Sequence, residues 1–137
     1  MLTVQREVAE RICASPGKMN LLALSVQVYG VPRNVMRIPA SSFYPQPKVD
    51  SCVVRVDIHE MPRIREDLQR SFFILAKAGF NQRRKTLRNA LAAGLHWTTK
   101  AASELLDSCG IDPMRRAETL SLENWIDLAE QFIISSA

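Results

Sequence analysis

The hydrophobic period of this chain changes once, at Pro62, and that change limits what the chain can fold into. Before it, Ser51 to Ile58 (SCVVRVDI) alternates, with Cys52, Val54, Val56 and Ile58 on one side and Ser51, Val53, Arg55 and Asp57 on the other. A period of two is a half-buried strand. After it, Leu68, Phe72, Leu75 and Gly79 recur at helical spacing, as do Leu87, Leu91 and Leu95. No single-class domain accommodates both patterns. The spacing predicts an α/β part over 1–61 and a small helical bundle over 62–137. At 137 residues the chain is one compact domain, or a small domain plus a piece of another.

The first part reads as short elements. Met1 to Gln5 is apolar and β-branched, and could end a buried strand. Arg6 to Ala14 has Val8 and Ile12 four apart, a short helix stopped by Ser15-Pro16-Gly17. Met19 to Tyr29 is ambiguous in period; it is read as helix, with Gly30 and Pro32 closing it. Asn34 to Ile38 reads as a strand. From Phe43 to Ser51, Pro45 and Pro47 impose an extended loop leading into the alternating strand. Three short strands and two helices cannot cover both faces of a sheet. Residues 1–61 are therefore expected to be the trailing edge of a larger domain; a compact α+β unit is the alternative.

In the second part Asn81 is the expected N-cap of a basic helix, with Gln82, Arg83 and Arg84 in its first turn and Gly94 at its end. Lys85 and Arg88 fall on a flank of its leucine stripe. Such a start would offer free N–H groups and clustered cations to a phosphate; a solvated basic face is the plainer reading. Thr98 can cap a helix through Ser108, with Gly110 at its end. Asp112-Pro113 can open a short helical turn. Ser121 can cap a last helix with Trp125, Leu128, Ala129, Phe132 and Ile133 inward.

Charge is uneven. Residues 63–88 hold eight Lys/Arg against two Asp/Glu, a net of +6, and 89–137 hold three against seven, a net of −4. A basic band beside an acidic segment suits a one-sided anionic partner, nucleic acid before membrane. Cys13, Cys52 and Cys109 are far apart with no CxxC spacing. They read as buried reduced thiols, without a metal site. His59 and His96 stand alone. No signal peptide, membrane span, Walker loop, GxGxxG or catalytic triad can be assembled. Asp50 and Ser51 beside Lys48 are explained by a turn entering a strand.

Four blocks, LTVQREVAERI, FYPQPKVDSCVVRV, AGFNQRRKTLRNAL and GIDPMRRAETLS, follow one another in the order and spacing of the ribosomal RNA adenine dimethyltransferases. The chain resembles that family over essentially its whole length. The resemblance implies an α/β remnant, the last strands and helices of a Rossmann-like methyltransferase sheet, over 1–61. A helical rRNA-binding domain over 62–137 would follow it. It implies transfer of methyl groups from S-adenosylmethionine to N6 of two adjacent adenines in a 16S rRNA hairpin of the small ribosomal subunit, in the cytoplasm. The family's glycine-rich loop, acidic ribose-binding residue and Asn-Leu-Pro-Tyr motif lie upstream of Met1. The expectation is thus a C-terminal fragment that docks RNA but neither binds the methyl donor nor catalyses. A freestanding RNA-binding or ribosome-assembly module is the alternative. By resemblance Phe43 stacks on the flipped target adenine; core packing beside Tyr44 is the competing reading. Lys48, Gln82, Arg83, Arg84, Lys85 and Arg88 are assigned to RNA binding. DNA is not an expected partner, because Ala90, Ala92 and Ala93 leave few side chains to read bases.

Overall fold

The computed structural model describes residues 1–136. They form an α/β fold with a three-stranded antiparallel sheet and six α-helices. The chain divides into two compact units, Met1–Ala14 with Leu22–Arg63, and Ser15–Leu21 with Ile64–Ala137.

In the first unit β1 (Leu2–Gln5) runs directly into α1 (Arg6–Ile12); α2 (Leu21–Gln27) and β2 (Gly30–Ile38) follow, and β3 (Ser51–Ile58) closes the sheet. The strand order is β1-β3-β2, with β3 antiparallel to both neighbours. Cys52 and Val54 of β3 are buried with Ala9 and Ile12 of α1, and Val4, Val8, Leu22, Val26 and Val56 pack around them. This is the alternation expected for β3, except that Ile58 is 77% exposed. On the other face Asp57 pairs with Arg33 (3.3 Å) and Arg55 (3.1 Å). Both arginines are largely exposed, and such pairs contribute little to stability.

Two expectations for this unit need correction. Gly30 and Pro32 do not close a helix. The helix ends at Gln27, and both residues lie in β2, opposite Ile58 and Val56. Pro32 is tolerated because β2 is an edge strand, where a missing N–H need cost no ladder bond. Gly30 sits where an added Cβ would be 2.7 Å from the Asp57 carbonyl oxygen, so the close approach of β2 to β3 excludes a side chain. Asn34 pairs with Val54 and Met36 with Val53, leaving Val35 as a bulge. Nor does Met1 to Gln5 end a buried strand: β1 is an edge strand, exposed except at Val4.

The second unit contains α3 (Glu66–Phe80), α4 (Leu87–Leu95), α5 (Thr99–Ser108) and α6 (Leu122–Ser136). Leu68, Phe72, Leu75 and Gly79 form the buried face of α3, as their spacing predicts. Leu87 and Leu91 of α4, Leu105 and Leu106 of α5, and Trp125, Leu128 and Ala129 of α6 are buried. The α5 cap is the expected one, Thr98 Oγ1 accepting from Ala101 N at 3.1 Å. The α6 cap is reciprocal: Ser121 Oγ accepts from Asn124 N (3.2 Å) while Asn124 Oδ1 accepts from Ser121 N (3.0 Å). Asp112-Pro113 opens a turn, with Asp112 Oδ1 accepting from Met114 N at 2.9 Å. Gly94 does not end α4. The helix runs one residue further and stops at His96, in the left-handed conformation (φ 58°).

Of the cysteines only Cys52 is buried; Cys13 and Cys109 are half-buried. Burial pushes both of those thiols up, with neighbouring Cys52 adding to the rise at Cys13. Neither is set up as a nucleophile.

Candidate nucleic-acid interface

The basic run lies in a turn, not on a helix. Asn81 belongs to the end of α3, its N–H donating to the Lys77 carbonyl at 3.0 Å. Gln82 to Lys85 form a tight turn closed by Lys85 N–H to the Gln82 carbonyl (3.0 Å). The cap of α4 is Thr86, whose hydroxyl accepts from Asn89 N at 3.4 Å. Thr86 places Leu87 at the first helical position, so the leucine stripe begins in phase with the buried face. The cations therefore precede the helix and stay clear of its buried stripe.

At the observed start of α4, which is Thr86 and not Asn81, the N–H groups are taken. Leu87 N–H donates to the Arg115 carbonyl (2.6 Å) and Arg88 N–H to the Pro113 carbonyl (3.1 Å). Asn89 is taken by Thr86, and Ala90 N–H donates to the Thr86 carbonyl at 2.9 Å. The first turn of α4 is thus closed to an anion, and the cations that precede it carry the attraction for phosphate by side-chain charge. The segment that closes it, 112–116, is part of the GIDPMRRAETLS block. Local pattern assigned it no such role, because the contact is made by backbone carbonyls that no residue type announces.

Arg83, Arg84 and Lys85 are exposed, and among the described residues they make no ion pair. Gln82 and Arg88 are half-buried. Gln82 Oε1 and Arg88 Nε are enclosed without a partner, so neither atom faces solvent. The five residues predicted to bind RNA here thus divide into three outward cations and two that are partly tucked in.

Phe43 and Lys48 lie in the loop between β2 and β3, in the first unit. Phe43 follows a 3₁₀ turn, Ala40–Ser42, and donates its N–H to the Ala40 carbonyl at 3.2 Å. It is 38% exposed and Tyr44 is fully exposed, so neither is a core residue. Lys48 is exposed, and the Tyr44–Pro45 peptide is cis. Asp50 holds this loop. Its Oδ1 accepts from Ala40 N at 2.9 Å, its Oδ2 accepts from Arg37 Nε at 2.8 Å, and its carbonyl accepts from Arg6 N at 3.0 Å. The Ala40 N–H and then the Arg37 guanidinium hold the Asp50 carboxyl below the usual carboxylate range. Asp50 is thus a latch on the loop, in keeping with a turn entering a strand.

Several comparisons bear on this arrangement. A family model described as ribosomal RNA adenine dimethylase matches residues 1–133. The chain is 47% identical over 132 residues to "Ribosomal RNA small subunit methyltransferase A" of Dehalococcoides mccartyi, covering 96% of this chain and 45% of that protein. It is 51% identical over 133 residues to the protein of the same name from Syntrophotalea carbinolica, covering 95% and 50%. The chain therefore spans about half the length of the curated relatives it matches. Among solved structures, a dimethyladenosine transferase from Plasmodium falciparum superposes with a TM-score of 0.81 at 21% identity, covering 98% of this chain and 57% of that one. The 23S rRNA methyltransferase ErmE gives 0.67 at 19% identity, covering 94% and 52%. These last two likenesses are ones of fold.

Proposed function

The chain belongs to the ribosomal RNA adenine dimethylase family, and from that membership we propose that it is the RNA-docking portion of an rRNA adenine N6,N6-dimethyltransferase. In this reading residues 1–61 are the closing edge of the Rossmann-like methyltransferase sheet and 62–137 are an all-α RNA-binding bundle. The substrate is a small-subunit (16S) rRNA hairpin with two adjacent adenines, and the setting is the cytoplasm. Among the described residues no helix is long and apolar enough to cross a membrane.

One observation carries the reading: three successive cations, Arg83, Arg84 and Lys85, stand exposed and unpaired in a turn fixed between two packed helices. Phosphate contacts of this kind position a nucleic acid without reading its sequence. They suit structured RNA, which is recognised by shape and backbone. Gln82 and Arg88 border this contact, and Lys48, in the first unit, is a separate RNA-binding cation. Phe43 is the aromatic surface for the target base, since N6 can be methylated only once the base leaves its stack. Its partial exposure supports that role.

S-adenosylmethionine supplies the methyl group in this family, and our reading is that this chain does not hold it. The β1-to-α1 turn, Gln5–Arg6, has no glycine, and the Arg6 N–H that would begin an anion cradle is bonded to the Asp50 carbonyl. We therefore assign this chain RNA docking without methyl-donor binding.

Filter binding of a synthetic RNA hairpin across a salt series tests the docking. Engagement of about three phosphates gives a slope of log affinity against log salt of roughly −2 to −3. Changing Arg83, Arg84 and Lys85 together to Ala should flatten the slope and weaken binding to many RNAs alike. If the triple variant kept the parent slope and affinity, the basic turn would be only a solvated surface.

A further inference from the structure

The turn that carries the three cations is fixed from outside its own sequence. On one side it continues α3. On the other it enters α4, whose first two amides are held by the carbonyls of Arg115 and Pro113. Where the cations project therefore depends on the shape of the 112–119 segment.

That shape is set by a side chain. The Arg115 guanidinium turns back along its own segment. Its Nε donates to Thr119 Oγ1 at 3.1 Å and its Nη2 donates to the Thr119 carbonyl at 2.6 Å. Thr119 Oγ1 passes the contact on, donating to the Arg116 carbonyl at 2.7 Å. The Arg115 N–H donates to the Asp112 carbonyl at 3.1 Å. The backbone of Arg115 is thus held at its N–H and along its side chain while its carbonyl supports Leu87. Two donors in a rigid planar fork meet two acceptors of one residue, a geometry a lysine cannot reproduce. Arg115 is half-buried, unlike the three exposed cations, and two of its five side-chain N–H donors are spent inside the protein.

We propose that Arg115, clamped on Thr119, is a positioning residue for RNA docking: it acts through the Leu87 and Arg88 amides to fix the Arg83-Arg84-Lys85 turn. The inference rests on the docking role proposed above and adds to it a determinant that does not itself touch RNA.

Thr119→Val in the full chain is the decisive variant. It removes one acceptor of the clamp and leaves the net charge unchanged. A change in the salt dependence of RNA binding then reflects where the existing cations stand. We expect RNA affinity to fall roughly two- to tenfold, the equivalent of one lost hydrogen bond. We expect the salt slope to shrink by up to about one, the equivalent of one lost phosphate contact. The Leu87 and Arg88 amides should exchange faster with solvent. Arg115→Lys separates positioning from contact. It keeps the charge and loses the fork, so it should behave like Thr119→Val, whereas a cation that simply touches phosphate would survive the change. All binding is measured well below each variant's unfolding temperature.

If both variants melted earlier but kept the parent affinity and slope, the clamp would be structural only and the inference would fail. If Arg115→Lys kept parent binding while Arg115→Ala lost it, Arg115 would be a direct contact, and the positioning role would again fail. The triple alanine variant of the basic turn is the control. Should it too retain parent binding, the docking role itself is wrong; should it alone lose binding, only the clamp is.

Discussion

Replacing Gly79 by alanine adds one methyl group on the buried face of α3. The new Cβ would lie 2.5 Å from Trp125 Cη2, 3.2 Å from Leu87 Cδ1 and 3.3 Å from Trp125 Cζ3. Trp125 and Leu87 are both fully buried, and Phe80 packs on the same indole with ring centroids 5.4 Å apart. The ring has nowhere to go without disturbing its neighbours. Forcing a methyl into a packed core costs about 1–3 kcal/mol. Against this, alanine in a helix interior gains up to about 1 kcal/mol over glycine, and less here because Gly79 is next to the end of α3. The net is a loss of about 1–2 kcal/mol. At about 4 °C per kcal/mol for a chain of this size, the melting temperature should fall by about 4–8 °C. Thermal and urea unfolding followed by circular dichroism measure this. Trp125→Phe removes the part of the ring that the methyl strikes. On that background Gly79→Ala should cost little, giving a coupling of about 1–2 kcal/mol in a double-mutant cycle. A Gly79→Ala protein as stable as the parent, or an equal loss with and without Trp125, would refute the argument.

Two other expectations follow from the aromatic loop. Asp50 has its carboxyl pKa depressed in the folded state, so its contribution is present above the ordinary carboxylate range and is lost as pH falls through the depressed value. Asp50→Asn should therefore lower the melting temperature near neutral pH, and the gap to the parent should narrow in acid; a gap constant down to strongly acid pH would contradict the latch. Phe43→Ala should leave the RNA affinity of this chain close to the parent's by filter binding, because base stacking needs a flipped adenine. An affinity loss as large as that of the triple alanine variant would move Phe43 into the docking surface.

Much of the fold is written locally. The strand at 51–58, the α3 face and the Thr98 and Ser121 caps each depend on residues within a few positions of one another, so period and cap chemistry find them. By sequence the basic run reads as helical because two capping residues compete there. Asn81 precedes the cations and Thr86 follows them, and only the phase of Leu87 against the buried core selects Thr86. Pro32 reads as a terminator unless it is known to lie on a sheet edge, which is a tertiary fact. The Asp50–Arg37 latch spans 13 residues, and neither residue type is unusual in its own neighbourhood. The positions of the candidate cations were legible from charge alone. The frame that holds them was not, because the Pro113 and Arg115 carbonyls reach α4 from more than twenty residues away.

That joint has a consequence for how the chain can vary. A contact made by side chains is lost when a residue type changes, but one made by main-chain oxygens is indifferent to most substitutions and sensitive to spacing. Pro113 and Arg115 present alternate carbonyls to consecutive amides of α4. Removing or inserting a single residue between Ile111 and Arg116 would shift that register and leave one or both amides unanswered. Exchanging Met114, which is 57% exposed, should pass almost unnoticed. The segment behaves as a spacer of fixed length: a library of loop lengths should find one permitted value there, and a library of loop compositions should find many.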